Sequence, residues 1–284
     1  MNKLHTYLFV VAVATGPVLA EAETVTKRVD LEGIKHVHLM GTYHLQVTQG
    51  DDEFIQITAD SQELKQVKAK VQGSKLVLGE GNDEWNWQFS TSPSEVSDNN
   101  PQFELQVKEL HSLSNLGVGH VVVKNIASDE DLTFSNLGAG EISLQAIEAD
   151  DIEFNNLGAG RITVNGLTSD SIKENSTGAG RLQYDNVVAE KWEINSLGNS
   201  RSIVNSESRT NELEITIKGA GEVDAELVRS EKAQVELSGA SVARVNVSDE
   251  LDVEIDGVGK LYYRGSPKID KKLSKVGELI AIDQ

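Results

Sequence analysis

Eight glycines recur along the chain at a nearly constant interval. They are Gly117, Gly138, Gly158, Gly178, Gly198, Gly219, Gly239 and Gly257, separated by 21, 20, 20, 20, 21, 20 and 18 residues. Around them the sequence repeats itself: S-N-L-G-V-G-H-V-V-V at 114–123, S-N-L-G-A-G-E-I-S-L at 135–144, N-N-L-G-A-G-R-I-T-V at 155–164 and N-S-T-G-A-G-R-L-Q-Y at 175–184. A fixed period of this length is the signature of a stacked-repeat architecture. A Gly-x-Gly turn can also cradle a phosphate, but the dinucleotide pattern needs a further glycine three residues on and a helix behind it. Ser143, Thr163 and Gln183 occupy those positions, and no helical periodicity follows. The glycines therefore read as turns, supplying positive φ and no side chain where neighbouring units touch.

Aligned on the first glycine, the positions six and four before it and four and six after it are mostly apolar. One such repeat has Ile152, Phe154, Ile162 and Val164, and another has Leu213, Ile215, Val223 and Ala225. Polar residues alternate with them, which is the period of two expected of strands with one buried face. A third apolar spot follows at Ile126, Ile147, Leu167 and Val187. One unit cannot bury its own apolar face, but stacked units can. The expected fold is all-β: a parallel β-helix, or solenoid, with coils of about 20 residues and an irregular β section at the N-terminus. Coils about 4.8 Å apart make the repeats a rod of roughly 38 Å. Two positions before the glycine stand Asn115, Asn136 and Asn156, then Ser176 and Ser196, then Ile217, Leu237 and Ile255. Stacked asparagine amides can bond along such a ladder, so this column is expected to line a corner.

Met1 to Ala22 has the form of a secretory signal: Lys3, then the apolar run Y-L-F-V-V-A-V-A-T, then small residues with cleavage expected after Ala20 or Ala22. The apolar run is shorter than the roughly 20 residues a span requires, so no membrane span is expected in the mature chain. There is no cysteine, hence neither a disulfide nor a lipid-modified cysteine anchor. The expected location is the bacterial periplasm or the cell exterior. The formal charge is −19, which disfavours nucleic acid as a partner and also keeps a repetitive β protein soluble.

The G-A-G-[ER]-[IL] repeats, together with G-T-Y-H-L-Q-V-T-Q-G-D-D-E-F-I-Q-I-T-A-D at 41–60 and G-K-L-Y-Y-R-G-S-P-K-I at 259–269, resemble the GIN domain family, a family of unknown function described as an auto-transporter adhesin head. The resemblance covers roughly residues 30 to 270. It implies a right-handed β-helix, an exported bacterial protein and a surface or adhesive role; it carries over no catalytic motif. The chain then divides into a signal peptide (1–22), irregular N-terminal β coils or a cap (23–110), β-helix repeats (111–269) and a C-terminal cap (270–284). Residues 61–70 can be read as a short helix or a strand, and the alternation in V-K-A-K-V favours a strand.

Two groups of residues are candidate ligand contacts. Three positions after the glycine stand Arg161, Arg181 and Arg201, bracketed by Glu141 and Glu222. Stacked at strand spacing, they form a basic stripe able to hold a carboxylate or sulfate of a glycan, or else an ordinary solvated ladder. Trp85, Trp87 and Phe89 lie on one side of an extended segment and could stack on a sugar or a protein, or fold over the first coil. His36, His38 and His44 are a weak zinc motif without a third fixed ligand. The acidic clusters Asp51-Asp52-Glu53, Asp129-Glu130-Asp131 and Asp150-Asp151 lack the rhythm of a calcium loop. No metal or cofactor is assigned. No paired-carboxylate or Ser-His-Asp arrangement is found, so the leading reading is a non-enzymatic, adhesin-like binding protein of the envelope. Its partner would be a glycan or an envelope protein, with self-association open. The alternatives are a polysaccharide lyase or hydrolase on the same scaffold and a purely structural envelope protein.

Overall fold

The computed structural model describes residues 6–7, 24–60, 67–80 and 101–282. The signal segment lies largely outside these residues, and Trp85, Trp87 and Phe89 lie wholly outside them. The described chain is all-β, a solenoid of about eight turns with coils about 20 residues apart. Its regular strands pair in parallel: Glu141–Gly158 with Arg161–Gly178, that with Arg181–Gly198, and later Ser208–Gly219 with Glu222–Gly239, and that in turn with Val242–Gly257. Because the register is one residue to one residue, the apolar columns seen in the sequence become continuous cores. Ile152, Phe154, Ile162, Val164 and Leu167 are all at most 2% exposed. The rings of Phe134 and Phe154 stack at 6.0 Å, and Tyr184 meets Phe154 edge-on at 5.8 Å.

The glycines form a column in which backbone touches backbone. A Cβ on Gly138 would lie 2.2 Å from the carbonyl oxygen of Gly117, and one on Gly158 2.5 Å from that of Gly138. The same oxygens accept N–H groups from the next turn, as in Ala159 to Gly138 at 3.2 Å and Ala179 to Gly158 at 3.0 Å. Close approach therefore excludes a side chain in the column, including at Gly138, whose φ is not in the left-handed region. From Gly158 onward positive φ adds a second reason.

The column also includes a glycine that the period does not reveal. Gly117 packs on the carbonyl oxygen of Gly41, and His44–Gln49 pairs with His120–Ser128 in register. Seventy-six residues separate Gly41 from Gly117, because the chain leaves the rod between them. His36–Leu39 is flanked by Ser112–Asn115 on one side and Lys75–Glu80 on the other. Residues 34–49 are thus laid down first. Lys75–Glu80 and Gln102–Val107 form a rung on their outer side, and the rod continues from 111 on the other side. The outer rung is closed by antiparallel strands: Phe54–Asp60 on Gln102–Val107, Thr24–Asp30 on Phe54–Asp60, and Val67–Gln72 on Lys75–Glu80. Such pairing removes an open edge that would otherwise recruit other chains. Val67–Gln72 settles that part of 61–70 as strand; 61–66 lie outside the described residues.

At the other end, Lys268–Leu273 and Glu278–Ala281 form the last rung, with Leu273 and Leu279 packed against the core. There Lys271 stands in register with buried Val253, so a charge terminates an apolar column. An inward-facing charge on an edge strand discourages further strand addition.

The asparagine column at the glycine corner is wholly buried, but its amides do not bond along the ladder. Asn115, Asn136 and Asn156 each donate to the carbonyl of the second glycine of their own turn, at 2.8, 2.7 and 3.1 Å. Between coils, Asn136 and Asn156 also donate to the backbone carbonyls of Arg161 at 3.2 Å and Arg181 at 3.5 Å, while amide-to-amide bonds run one residue earlier, where Asn175 donates to Asn155 at 3.1 Å and Asn195 to Asn175 at 3.4 Å. The inner column faces the glycine turns, and their carbonyls lie closer than the next amide. A second corner column, Asn125, Ala146, Gly166 and Asn186, holds left-handed backbone throughout. Alanine is the residue least suited to it.

One polar side chain interrupts the core. Glu174 occupies the column of Phe154 and Ile194 and is fully buried. One of its oxygens accepts hydrogen bonds from the Tyr184 hydroxyl at 2.8 Å and the Ser202 hydroxyl at 2.9 Å, while its other oxygen has no partner. Desolvation by burial pushes its pKa up to about 7, against the lowering effect of those two bonds. The native state therefore holds this proton more tightly than the unfolded chain does. The associated stability is fully present below the ordinary glutamate pKa and is lost as pH rises through about 7.

These contacts set three expectations. Gly138→Ala, which drives a Cβ into a carbonyl oxygen, lowers unfolding stability by about 3 kcal/mol in urea titration. Ala146→Gly relieves left-handed strain and raises stability by about 0.5–1 kcal/mol. Glu174→Gln removes a titration: relative to wild type it gains stability as pH rises from 4.5 to 8, by about 3 kcal/mol for a shift of this size, and it gains nothing below pH 4.

Candidate functional site

The arginine row lies where the sequence puts it. Arg161 pairs in register with Arg181, and Arg181 with Arg201, each at the start of the strand that leaves the glycine corner. The column runs on to His120 and Glu141 on one side and Glu222 on the other. All three arginine side chains are exposed, because the buried positions alternate with theirs.

The three are not equivalent. Arg201 meets Glu222 at 2.6 Å, and Glu222 also holds Arg244 at 2.8 Å. At the opposite end Glu141 faces His120 at 3.4 Å. Both carboxylates that bracket the row are thus turned to other partners or to its last member. Among the described residues, Arg161 and Arg181 have no carboxylate partner. Their surroundings are neutral: Thr163 and Gln183 stand two residues along the strand, and Ala159 and Ala179 occupy the turn. On the far side of the corner the Asn155–Asn175–Asn195 ladder is satisfied internally, with Glu153 accepting from the central Asn175 and Glu193 from Asn195. Two guanidinium groups without an ion-pair partner among the described residues, flanked by neutral columns, stand out on a chain of charge −19.

A cleft of about 320 Å³ opens beside the row, lined by Arg181, Arg201, Asn199, Ser200, Ala179 and Glu222. The turn supplies its floor: alanine and glycine leave the backbone uncovered, and Ser200, which replaces the second glycine of its repeat, bonds inward to Ser196 at 2.6 Å. Leu157 and Leu197 stand exposed on the corner's other flank, at 43% and 52%. Guanidinium groups bind carboxylate and sulfate through paired N–H donors, and exposed small apolar groups suit the C–H faces of sugars.

The other candidates separate. His36 bonds Ser112 at 2.8 Å and meets the His111 ring, while His44 lies across the glycine corner against His120, with ring centroids 5.7 Å apart. Burial lowers the pKa of both His36 and His38, with nearby cations adding to the effect. Glu53 spends its carboxylate on the backbone N–H groups of Gly33 and Ile34; Asp129 and Asp131 are exposed between strands, whereas Asp150 and Asp151, expected at a turn, are exposed residues within the continuous strand Glu141–Gly158. Among the described residues, no group of three or more His, Asp or Glu is arranged to hold a metal ion. The carboxyl raised above its ordinary range, Glu174, is sealed from solvent and out of reach of any substrate. Neither its role nor Gly41's place in the column was found by reading the repeat. The signal for Gly41 was the match of G-T-Y-H to G-V-G-H, and that for Glu174 was a lone charge in an apolar column.

Comparison with known proteins bears on the fold and the family. Several solved structures share the fold, two of which illustrate it. One, described as a putative lipid binding protein from Parabacteroides distasonis, is 16% identical with a TM-score of 0.65 over 92% of this chain and 97% of its own. The other, described as a putative adhesin from Parabacteroides merdae, is 15% identical with a TM-score of 0.63 over the same shares. No curated protein matches the sequence. A family model described as "Putative auto-transporter adhesin, head GIN domain" matches residues 34–209 and 198–267, and with the glycine-cornered solenoid on which that match falls, the chain belongs to this family.

Proposed function

We propose that the protein is an exported, non-enzymatic binding rod of the bacterial envelope that holds anionic groups of a glycan along the Arg161–Arg181–Arg201 row. The observation that carries this reading is the uncompensated state of Arg161 and Arg181. Exposed cations on an acidic protein usually find carboxylates, since attraction is cheap to satisfy at a surface. Here the neighbouring columns are neutral and the bracketing glutamates are engaged elsewhere, so the guanidinium donors face solvent. A solenoid braced by continuous hydrogen-bonded columns suits this work. It holds the donors in fixed register, so little ordering is required on binding.

The adhesin and lipid-binding descriptions of the fold's relatives accord with a binding role and do not identify a ligand. The enzyme alternative would need two carboxyl groups converging on a cleft. The cleft beside the row has one, Glu222, already shared between two arginines; a second cleft, lined by Glu236, Asp252, Glu254 and Asp270, also holds Lys271 and Lys272, and Lys272 pairs with Glu254. Export rests on the form of Met1 to Ala22.

On a glycan array, wild-type protein is expected to retain carboxylated or sulfated glycans over neutral ones. Arg161→Ala/Arg181→Ala should lose that retention about tenfold or more, for a loss of about 1.5 kcal/mol or more in charged hydrogen bonds, with an unchanged melting curve. Equal retention by the double variant would abandon the reading.

A further inference from the structure

We propose that the ligand of this row is a linear polyuronate, a polysaccharide bearing one carboxylate on every sugar, lying parallel to the rod axis. The inference rests on the anionic-glycan reading above and adds the ligand's charge spacing and direction. The in-register pairing of Arg161, Arg181 and Arg201 leaves no stagger between them. Each guanidinium-bearing residue is therefore one strand spacing, about 4.8 Å, from the next along the axis. An extended 1,4-linked polyuronate advances by a similar step per residue and turns successive carboxylates to alternate edges of the ribbon, where the long, exposed arginine side chains can reach them from either side of the row. A carboxylate on each sugar thus meets one arginine per coil, and a planar carboxylate can take two parallel N–H bonds from each. A glycan charged only on alternate sugars leaves every second arginine unmatched.

The ends of the row define its length. Glu141 and Glu222 repel a carboxylate placed beyond Arg161 or Arg201. The site is therefore three charges long, and its last member is the weakest because the ligand must compete with Glu222 for Arg201. Small residues at the turn, Ala159 and Ala179, let a chain lie close to the backbone, and Thr163 and Gln183 offer hydroxyl and amide partners alongside. The cleft between Arg181 and Arg201 provides a seat for one sugar ring. A flat anionic membrane would instead bring its charge against the whole acidic surface of a −19 chain.

The test uses the full purified chain and isothermal titration with oligogalacturonates of two to six sugars. The controls are their methyl esters, a sulfated glycan charged on alternate sugars, and vesicles of anionic phospholipid. We expect affinity to rise with length up to three sugars and then level. Esterification should abolish binding. Arg181→Ala should weaken the trimer about tenfold, Arg181→Glu should eliminate its binding, and Glu222→Gln should strengthen it by freeing Arg201. Circular dichroism and melting curves of the variants should match wild type. Tighter binding of the sulfated glycan or of the vesicles, or equal binding of the methyl esters, overturns the polyuronate assignment while an anion site at the row stands or falls by the arginine variants. No binding of any polyanion overturns both.

Discussion

The contact on which the structure depends is made between main chains. At one corner of every coil, a glycine carbonyl accepts an N–H from the turn above and sits where that turn's Cβ would be. Because no side chain intervenes, neighbouring turns stack at strand spacing, and the register of the whole coil is set from that point. The core columns, the amide ladder and the arginine row are all consequences of that register. A repeat with a larger residue there would have to lift the turn away, breaking the hydrogen bond and unstacking the columns on both sides.

A rod of parallel coils has two ends, and the chain treats them differently. At the first end an antiparallel layer is paired onto the outermost rung. At the other, the last rung carries a lysine where the preceding coil carries valine. Pairing satisfies an edge; a charge in an apolar column makes further stacking costly. These devices account for a repetitive, strand-rich sequence forming a solenoid of finite length.

The middle of the rod combines unusual polar residues inside and out. Glu174 replaces an apolar residue in the core of the coil that carries Arg181, and it bonds Ser202, the neighbour of Arg201. Glu174 points into the core from the strand that Arg161 begins, and Arg161 itself is exposed, so the alternation of side chains keeps the buried carboxyl apart from the surface row.

The sequence by itself determined the coil, its period, which residues face inward, and the membership of the arginine row. All of these depend on offsets that repeat: two along a strand and about 20 between coils. Only the tertiary structure decided the rest. Gly41 joins the glycine column across 76 residues, a separation no local period records. The amide ladder belongs to Asn155, Asn175 and Asn195 because the inner asparagines lie nearer to turn carbonyls than to one another. Whether an arginine is free or paired depends on which carboxylates lie within reach and where they turn. A sequence gives the column in which a charge stands, but the partner of that charge is chosen by distances of a few ångströms between chains folded against each other.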